Sequence, residues 1–139
     1  GTDDKLLTRL GYLADRMSVN IELPSESGLK LLAPQKTRES VLSDLEKFGT
    51  DYIDLCLVHQ PFGDYFGAYK ALEDLYFEGK IKAIGISNFY AYKMVDIASF
   101  ARVKPAVNQV ELHPFHQRIE SKEWHDKYEV QMQAWAPLV

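Results

Sequence analysis

The sequence predicts an α/β fold: a partial (β/α) TIM-type barrel with about five parallel strands. Short apolar runs of strand type alternate with amphipathic segments of helix type, and the βα units recur roughly every 25 residues, as in a TIM barrel. A closed barrel needs eight such units and typically about 250 residues, whereas this chain has 139. We therefore expect one α/β domain over residues 1–139, too short to close an eight-stranded barrel by itself.

The strand-type runs are nearly continuous in apolar or β-favouring residues, and turn residues follow each of them. Such runs suit strands that are buried on both faces, and these strands are usually parallel. Right-handed crossovers through the intervening helices would join them into one sheet. The predicted strands are Met17–Leu23, Asp51–His59, Ile81–Ser87, Ala106–Leu112 and Val130–Trp135.

Amphipathic segments between these strands predict helices. Gly49 and Gly79 stand where a helix is expected to end, because glycine tolerates the left-handed conformation found there. Charged residues on the second helix, Glu73, Asp74 and Glu78, are predicted to form a solvated face. The predicted helices are Thr37–Phe48, Ala68–Phe77, Tyr92–Phe100 and Ser121–Tyr128.

Composition and charge narrow the classes of function. The content of 46% hydrophobic and 26% charged residues is ordinary for a globular protein. A net charge of −4 lacks the basic excess expected of a protein that binds nucleic acid or a membrane surface. No apolar run approaches the roughly 18 residues that span a bilayer. The single cysteine, Cys56, is predicted to lie in the core, and we expect a cytoplasmic protein without a leader peptide.

Polar side chains collect at the ends of the predicted strands, where the active site of a TIM barrel is built. A histidine, a Ser-Asn pair, a glutamine and a tryptophan around one rim favour a pocket for a flat ring with polar edges. These rim residues are His59, Ser87, Asn88, Gln109, Glu111 and Trp135.

We expect no metal site. His113 and His116 are interpreted as loop residues, because Pro114 separates them and no third ligand lies near them in the sequence.

Four segments resemble successive signatures of the aldo-keto reductase family. They read DYIDLCLVHQP at 51–61, GKIKAIGISNF at 79–89, VNQVELHP at 107–114 and AWAPL at 134–138, in the family's order and with its separations. The resemblance covers about residues 41–139. It implies reduction of a small-molecule aldehyde or ketone, with NADPH or NADH as the cofactor.

The resemblance also implies roles for the rim residues. His59 resembles the family's active-site histidine, which hydrogen-bonds the substrate carbonyl. Ser87 and Asn88 resemble the pair that binds the nicotinamide carboxamide, and Gln109 resembles a third contact to that group. Trp135 stands where the family stacks an aromatic ring on the nicotinamide. From the residues alone, a core histidine, a helix N-cap at Ser87 and Asn88, a structural Gln109 and a core tryptophan remain alternatives.

Part of the family's catalytic machinery has no counterpart here. The family uses a tyrosine as general acid, tuned by a lysine that pairs with an aspartate. We find no such Asp/Tyr signature, and Lys30 falls several residues after the first predicted strand. The resemblance places the contacts to the cofactor's adenosine phosphate beyond Val139. We therefore expect weak binding of NADPH or NADH, and an isolated chain that is inactive or nearly so.

The first forty residues carry a different resemblance. Leu13–Ser25 and Leu29–Lys36 are similar to a segment of a radical-SAM barrel protein. We interpret the chain as a chimera, in which a βα unit of different origin (residues 1–40) joins aldo-keto reductase-like βα units (residues 41–139) near Lys36–Val41. A radical-SAM enzyme is not expected, because one cysteine cannot ligate the iron–sulfur cluster.

A non-enzymatic half-barrel, natural or engineered, is the alternative to a reductase fragment. A five-stranded parallel fragment leaves two edges and an apolar interior uncovered. A homodimer would cover them, so this alternative predicts self-association.

Overall fold

The computed structural model describes residues 3–13, 18–21 and 33–138. Within these ranges every pair of neighbouring strands is parallel, and the strands follow one another across the sheet in chain order, without closing into a barrel. The predicted fold class, a partial α/β barrel with five parallel strands, is confirmed. The elements are α1 (Asp4–Leu13), β1 (Ser18–Ile21), α2 (Ala33–Phe48), β2 (Leu55–Val58), α3 (Tyr65–Phe77), β3 (Ile84–Ser87), α4 (Ala91–Phe100), β4 (Val107–Glu111), α5 (Ile119–Tyr128) and β5 (Gln131–Trp135).

Each predicted strand is present but shorter than its apolar run. Met17, Glu22 and Leu23, at the ends of the first run, lie outside the described residues. Before β2 and β3 the pairing continues only as an isolated parallel bridge between Ile53 and Ile81. The apolar runs therefore include buried residues that lie beyond the ends of the regular strand pairing.

The helices are confirmed, with earlier starts than predicted. α3 begins before Ala68 because the Asp64 carboxylate caps it, accepting a 2.8 Å hydrogen bond from the Gly67 amide. Gly49 (φ 66°) and Gly79 (φ 75°) follow the ends of α2 and α3 in the left-handed region, as expected of helix-terminating glycines. The sequence did not predict α1.

The sheet has one face packed under helices, and we call the opposite face, which corresponds to the interior of a barrel, the concave face. Cys56 and Ile84 lie on the helix-packed face, in a core that includes Leu72, Leu75 and Met94. Side chains alternate between the two faces along a strand, so the residues next to Cys56 in β2 and next to Ile84 in β3 lie on the concave face. The core position predicted for Cys56 is confirmed.

The prediction of a solvated face on α3 is wrong at Glu73. Its carboxylate is buried, and it accepts hydrogen bonds from the Val103 amide (2.9 Å) and the Arg102 side chain (3.2 Å). Asp74 and Glu78 are exposed as predicted. The segment after α4 covers Glu73, a contact that helical periodicity on α3 does not reveal.

The buried thiol of Cys56 should make the protein sensitive to alkali. Burial, helped by the charge of Asp44, raises the pKa of Cys56 from 9.0 to about 12. The unfolded chain then loses this proton at lower pH than the folded chain. The resulting contribution to stability is complete below about pH 9 and declines as pH rises towards about 12.

We expect the free energy of unfolding to fall by roughly 1.4 kcal/mol between neutral pH and about pH 10 because of this one group. Urea unfolding at the two pH values measures the change. Cys56→Ala is the control: it should be less stable at neutral pH but should lose less stability on going to the higher pH. Equal losses in the two proteins would rule out Cys56 as the cause.

Candidate functional site

The five predicted site residues lie together at the C-terminal edge of the sheet. Parallel strands end at the same edge, so residues at the ends of β2 to β5 become neighbours even though they are far apart in sequence. His59 follows β2, Ser87 ends β3 and Asn88 follows it, and the register pairs Ser87 with Gln109 in β4. Trp135 ends β5 and pairs with Glu111.

Asn88 is the centre of the site. Its φ of 61° is in the left-handed region, which asparagine tolerates better than most residues. Its Nδ2 donates to the His59 carbonyl oxygen and to Ser87 Oγ, at 3.2 Å each. Its Oδ1 accepts a 2.9 Å hydrogen bond from the Trp135 indole N–H. One amide side chain thus connects three of the four strands that form the site.

The fourth strand, β4, holds the backbone of this site. The backbone carbonyl oxygen of Gln109 accepts hydrogen bonds from the backbone N–H of Asn88 (2.9 Å) and from Ser87 Oγ (3.0 Å). Ser87 is completely buried, whereas the Gln109 side chain reaches Gln133 Oε1 on β5 at 3.3 Å. The Ser-Asn pair is therefore fixed by β4, and the Gln109 amide group is directed along the concave face.

Two of the structural alternatives fail. The N-cap residue of α4 is Tyr90, which makes no side-chain capping bond, so Ser87 and Asn88 do not cap that helix. Trp135 is 39% exposed and is not a core residue. His59 is half-buried at the end of β2.

Gln133 is a site residue that our sequence analysis missed. It lies beside Gln109 on the concave face, in the register that pairs these two residues. The signal was present, because Gln131, Gln133 and Trp135 alternate with Met132 and Ala134 along β5. Polar residues at every second position mark one face of a strand.

The site offers neutral hydrogen-bonding groups and an exposed aromatic ring. A hydroxyl and two carboxamides can both donate hydrogen bonds to a planar amide and accept them from it. The Trp135 ring can stack on a flat heterocycle. The chemistry of this donor set fits the carboxamide-bearing ring of a nicotinamide.

Other kinds of site find less support. Across residues 3–13, 18–21 and 33–138, no three His, Cys, Asp or Glu side chains are placed to hold a metal ion. His113 and His116 close a tight turn through their backbones. None of the helices in the described ranges is long and apolar enough to cross a membrane.

Two curated relatives share much of this sequence. The chain is 43% identical over 109 residues to an uncharacterized oxidoreductase, YtbE, of Bacillus subtilis (strain 168), covering 78% of this chain and 39% of the relative. It is 43% identical over 96 residues to the glyoxal reductase of the same organism, covering 68% and 35%. The chain thus spans less than half the length of the relatives that it matches.

Solved structures of the same family superpose on the described fold. An aldo-keto reductase, MGS-M4, from a Medee basin deep-sea metagenome library matches with a TM-score of 0.84 and 32% identity, over 97% of this chain and 49% of that one. An aldo-keto reductase of Bombyx mori in complex with NADP matches with a TM-score of 0.76 over 95% of this chain and 48% of that one, and at 22% identity this likeness concerns the fold alone.

The sequence profile of the aldo/keto reductase family matches residues 21–139. This range includes residues 21–40, to which we had assigned a different origin, so a chimeric junction near Lys36–Val41 is not shown. In the structure, α2 runs through that position without a break. The chain belongs to the aldo-keto reductase family.

Proposed function

We propose that the chain is the nicotinamide-facing part of an NAD(P)H-dependent reductase of small aldehydes or ketones. The observation that carries this proposal is the connected cluster of Ser87, Asn88, Gln109 and Trp135 at the C-terminal edge of the sheet. The relative named as a glyoxal reductase, at 43% identity, supports the same reaction class.

The residues divide the task of binding. Ser87, Asn88 and Gln109 hold the nicotinamide carboxamide, because a hydroxyl and two carboxamides can both donate hydrogen bonds to that group and accept them from it. Trp135 stacks on one face of the ring and leaves the other face to the substrate. His59 hydrogen-bonds the carbonyl oxygen of the substrate. When bound, the cofactor supplies the hydride.

The isolated chain binds NADPH or NADH weakly and turns over little or no substrate. No counterpart of the general-acid tyrosine, its lysine or its aspartate was found in the sequence. Its partners are the cofactor and a small carbonyl compound rather than nucleic acid or membrane, and its compartment is the cytoplasm.

Fluorescence titration with NADPH tests the proposal, because the ring of Trp135 lies in the site. We expect saturable quenching that is lost in Trp135→Phe, which keeps an aromatic ring but removes the hydrogen bond to Asn88. Trp124→Phe is the matched control, since Trp124 is an exposed residue of α5 outside the cluster and its replacement should leave the quenching intact. Absence of binding at millimolar NADPH would overturn the proposal.

Self-association of a non-enzymatic half-barrel is the second candidate. Gln131, Gln133 and Trp135 of the last described strand are all exposed on the concave face, so the part of that face formed by β5 is open to a second copy of the chain. Light scattering on the titration samples separates the candidates. A dimer that does not bind NADPH favours the half-barrel, and a monodisperse monomer counts against it.

A further inference from the structure

A second pair of polar residues is buried behind the site, on the helix-packed side of β4. Asn108 precedes Gln109 in the strand, so its side chain lies on the opposite face of the sheet. Asn108 is completely buried and His125 of α5 is 1% exposed. The proposed reaction uses neither residue, and full burial of two polar side chains requires a reason.

The hydrogen bonds of this pair determine where its protons lie. His125 Nδ1 is 2.6 Å from the Ser121 carbonyl oxygen, which can only accept, so Nδ1 carries the hydrogen. Asn108 Nδ2 is 2.9 Å from the Phe89 carbonyl oxygen, so the amide nitrogen must face Phe89. The second hydrogen of Nδ2 then points to His125 Nε2, also at 2.9 Å, which accepts it. His125 is therefore the neutral Nδ1–H tautomer.

This pair reaches the site through Phe89. Phe89 directly follows Asn88, whose backbone is held in the left-handed region. The backbone N–H of Asn88 donates to the backbone carbonyl oxygen of Gln109, and the backbone carbonyl oxygen of Phe89 accepts from the side chain of Asn108. Consecutive residues of β4 thus hold residues 88 and 89, Gln109 through its backbone carbonyl oxygen and Asn108 through its side chain. The Asn108 amide keeps its orientation even though its Oδ1 has no partner among the described residues.

We propose that Asn108 and His125 are positioning residues for the cofactor site. The unprotonated ring nitrogen of His125 accepts a hydrogen bond from the Asn108 side-chain amide and so fixes its orientation. Asn108 in turn donates a hydrogen bond to the Phe89 carbonyl oxygen. This anchor holds Asn88 in the conformation in which its side chain meets Ser87, His59 and Trp135. The proposal rests on the proposed function, because the Ser87–Asn88 pair must face a nicotinamide for its position to affect binding.

Two sets of variants test this role. Asn108→Asp has nearly the shape of asparagine but lacks the N–H group that Phe89 requires, and we expect it to weaken NADPH binding about tenfold. His125→Leu removes the acceptor and should have a similar effect. His125→Gln retains an acceptor oxygen, and we expect it to restore affinity to within about threefold of the parent chain. A purely structural role of His125 would not favour glutamine over leucine at equal folding stability.

A double-mutant cycle tests whether the effect passes through Asn88. Asn88→Ala removes the side chain that the pair positions, so adding Asn108→Asp to it should weaken NADPH binding little further. Additive losses, or a His125→Gln variant that binds as poorly as His125→Leu, would overturn the proposal.

Nuclear magnetic resonance of the chain without cofactor separates this inference from the proposed function. We expect His125 with its proton on Nδ1, and in His125→Leu we expect shifted backbone resonances at Ser87, Asn88 and Phe89 that His125→Gln largely restores. A parent chain that shows these signals but does not bind NADPH would overturn the proposed function and the cofactor role, while the anchoring of Asn88 would stand. Protonation at Nε2 would overturn the anchoring itself.

Discussion

The purified chain is expected to reduce glyoxal with NADPH about 10²–10⁴ times more slowly than the full-length glyoxal reductase of Bacillus subtilis assayed beside it. Reduction of a carbonyl leaves an alkoxide that must take up a proton. The family's tyrosine acid has no counterpart in this sequence, so we expect the proton to come from water or from His59. A positioned general acid typically contributes a factor of this size.

NADPH consumption at saturating glyoxal measures this rate. The fraction of chain that holds cofactor, taken from the Trp135 titration, separates poor binding from slow chemistry. His59→Ala should lower any remaining rate without changing NADPH affinity. A rate within tenfold of the full-length relative would show that this chain contains a proton donor that we have not identified.

Replacing Gly85 with alanine is expected to lower the free energy of unfolding by roughly 2–3 kcal/mol. Gly85 lies in β3 on the concave face, where the register places it beside Leu57. A Cβ atom there would overlap Leu57 Cδ2, and it would lie 2.7 Å from Val107 Cγ2 and 3.1 Å from the Val107 carbonyl oxygen. Valine is stiff at χ1, so the strand backbone must shift to make room.

Gly79→Ala is the comparison for this experiment. No described atom lies within 4 Å of a Cβ atom at Gly79, and the cost of this substitution should come from the left-handed φ of 75°, about 1 kcal/mol. Val107→Ala should recover part of the loss in Gly85→Ala but none in Gly79→Ala. Urea unfolding of the single and double variants measures both effects, and additivity at Gly85 and Val107 would contradict the crowding argument.

The fold could be predicted largely from sequence because its signals are local. The period of the apolar residues distinguishes strands from helices, and Gly49 and Gly79 mark helix ends because few other residues adopt their conformation. Element boundaries were less well predicted. The start of α3 depends on one side chain, Asp64, and the ends of the strands depend on which neighbours continue the ladder.

The site residues were predicted in a different way. Ser87 and Trp135 end their strands, and His59 and Asn88 directly follow strand ends, so the proximity of these four residues followed from the fold class. Gln109 lies in the middle of β4, and the register brings it beside Ser87. Their individual roles came from the resemblance of the four segments to a family, and the titration and activity measurements are what test them.

The amino-acid sequence was enough to predict the fold class and the edge of the sheet at which polar groups gather. The contacts of Glu73, the hydrogen bond from Trp135 to Asn88, and the bonds that join His125 and Asn108 to Phe89 could be seen only in the folded chain. Periodicity reports which face of an element is apolar, so it encodes burial. A hydrogen bond between distant segments depends on register and side-chain direction to within a few tenths of an ångström, and these are fixed only when the elements pack.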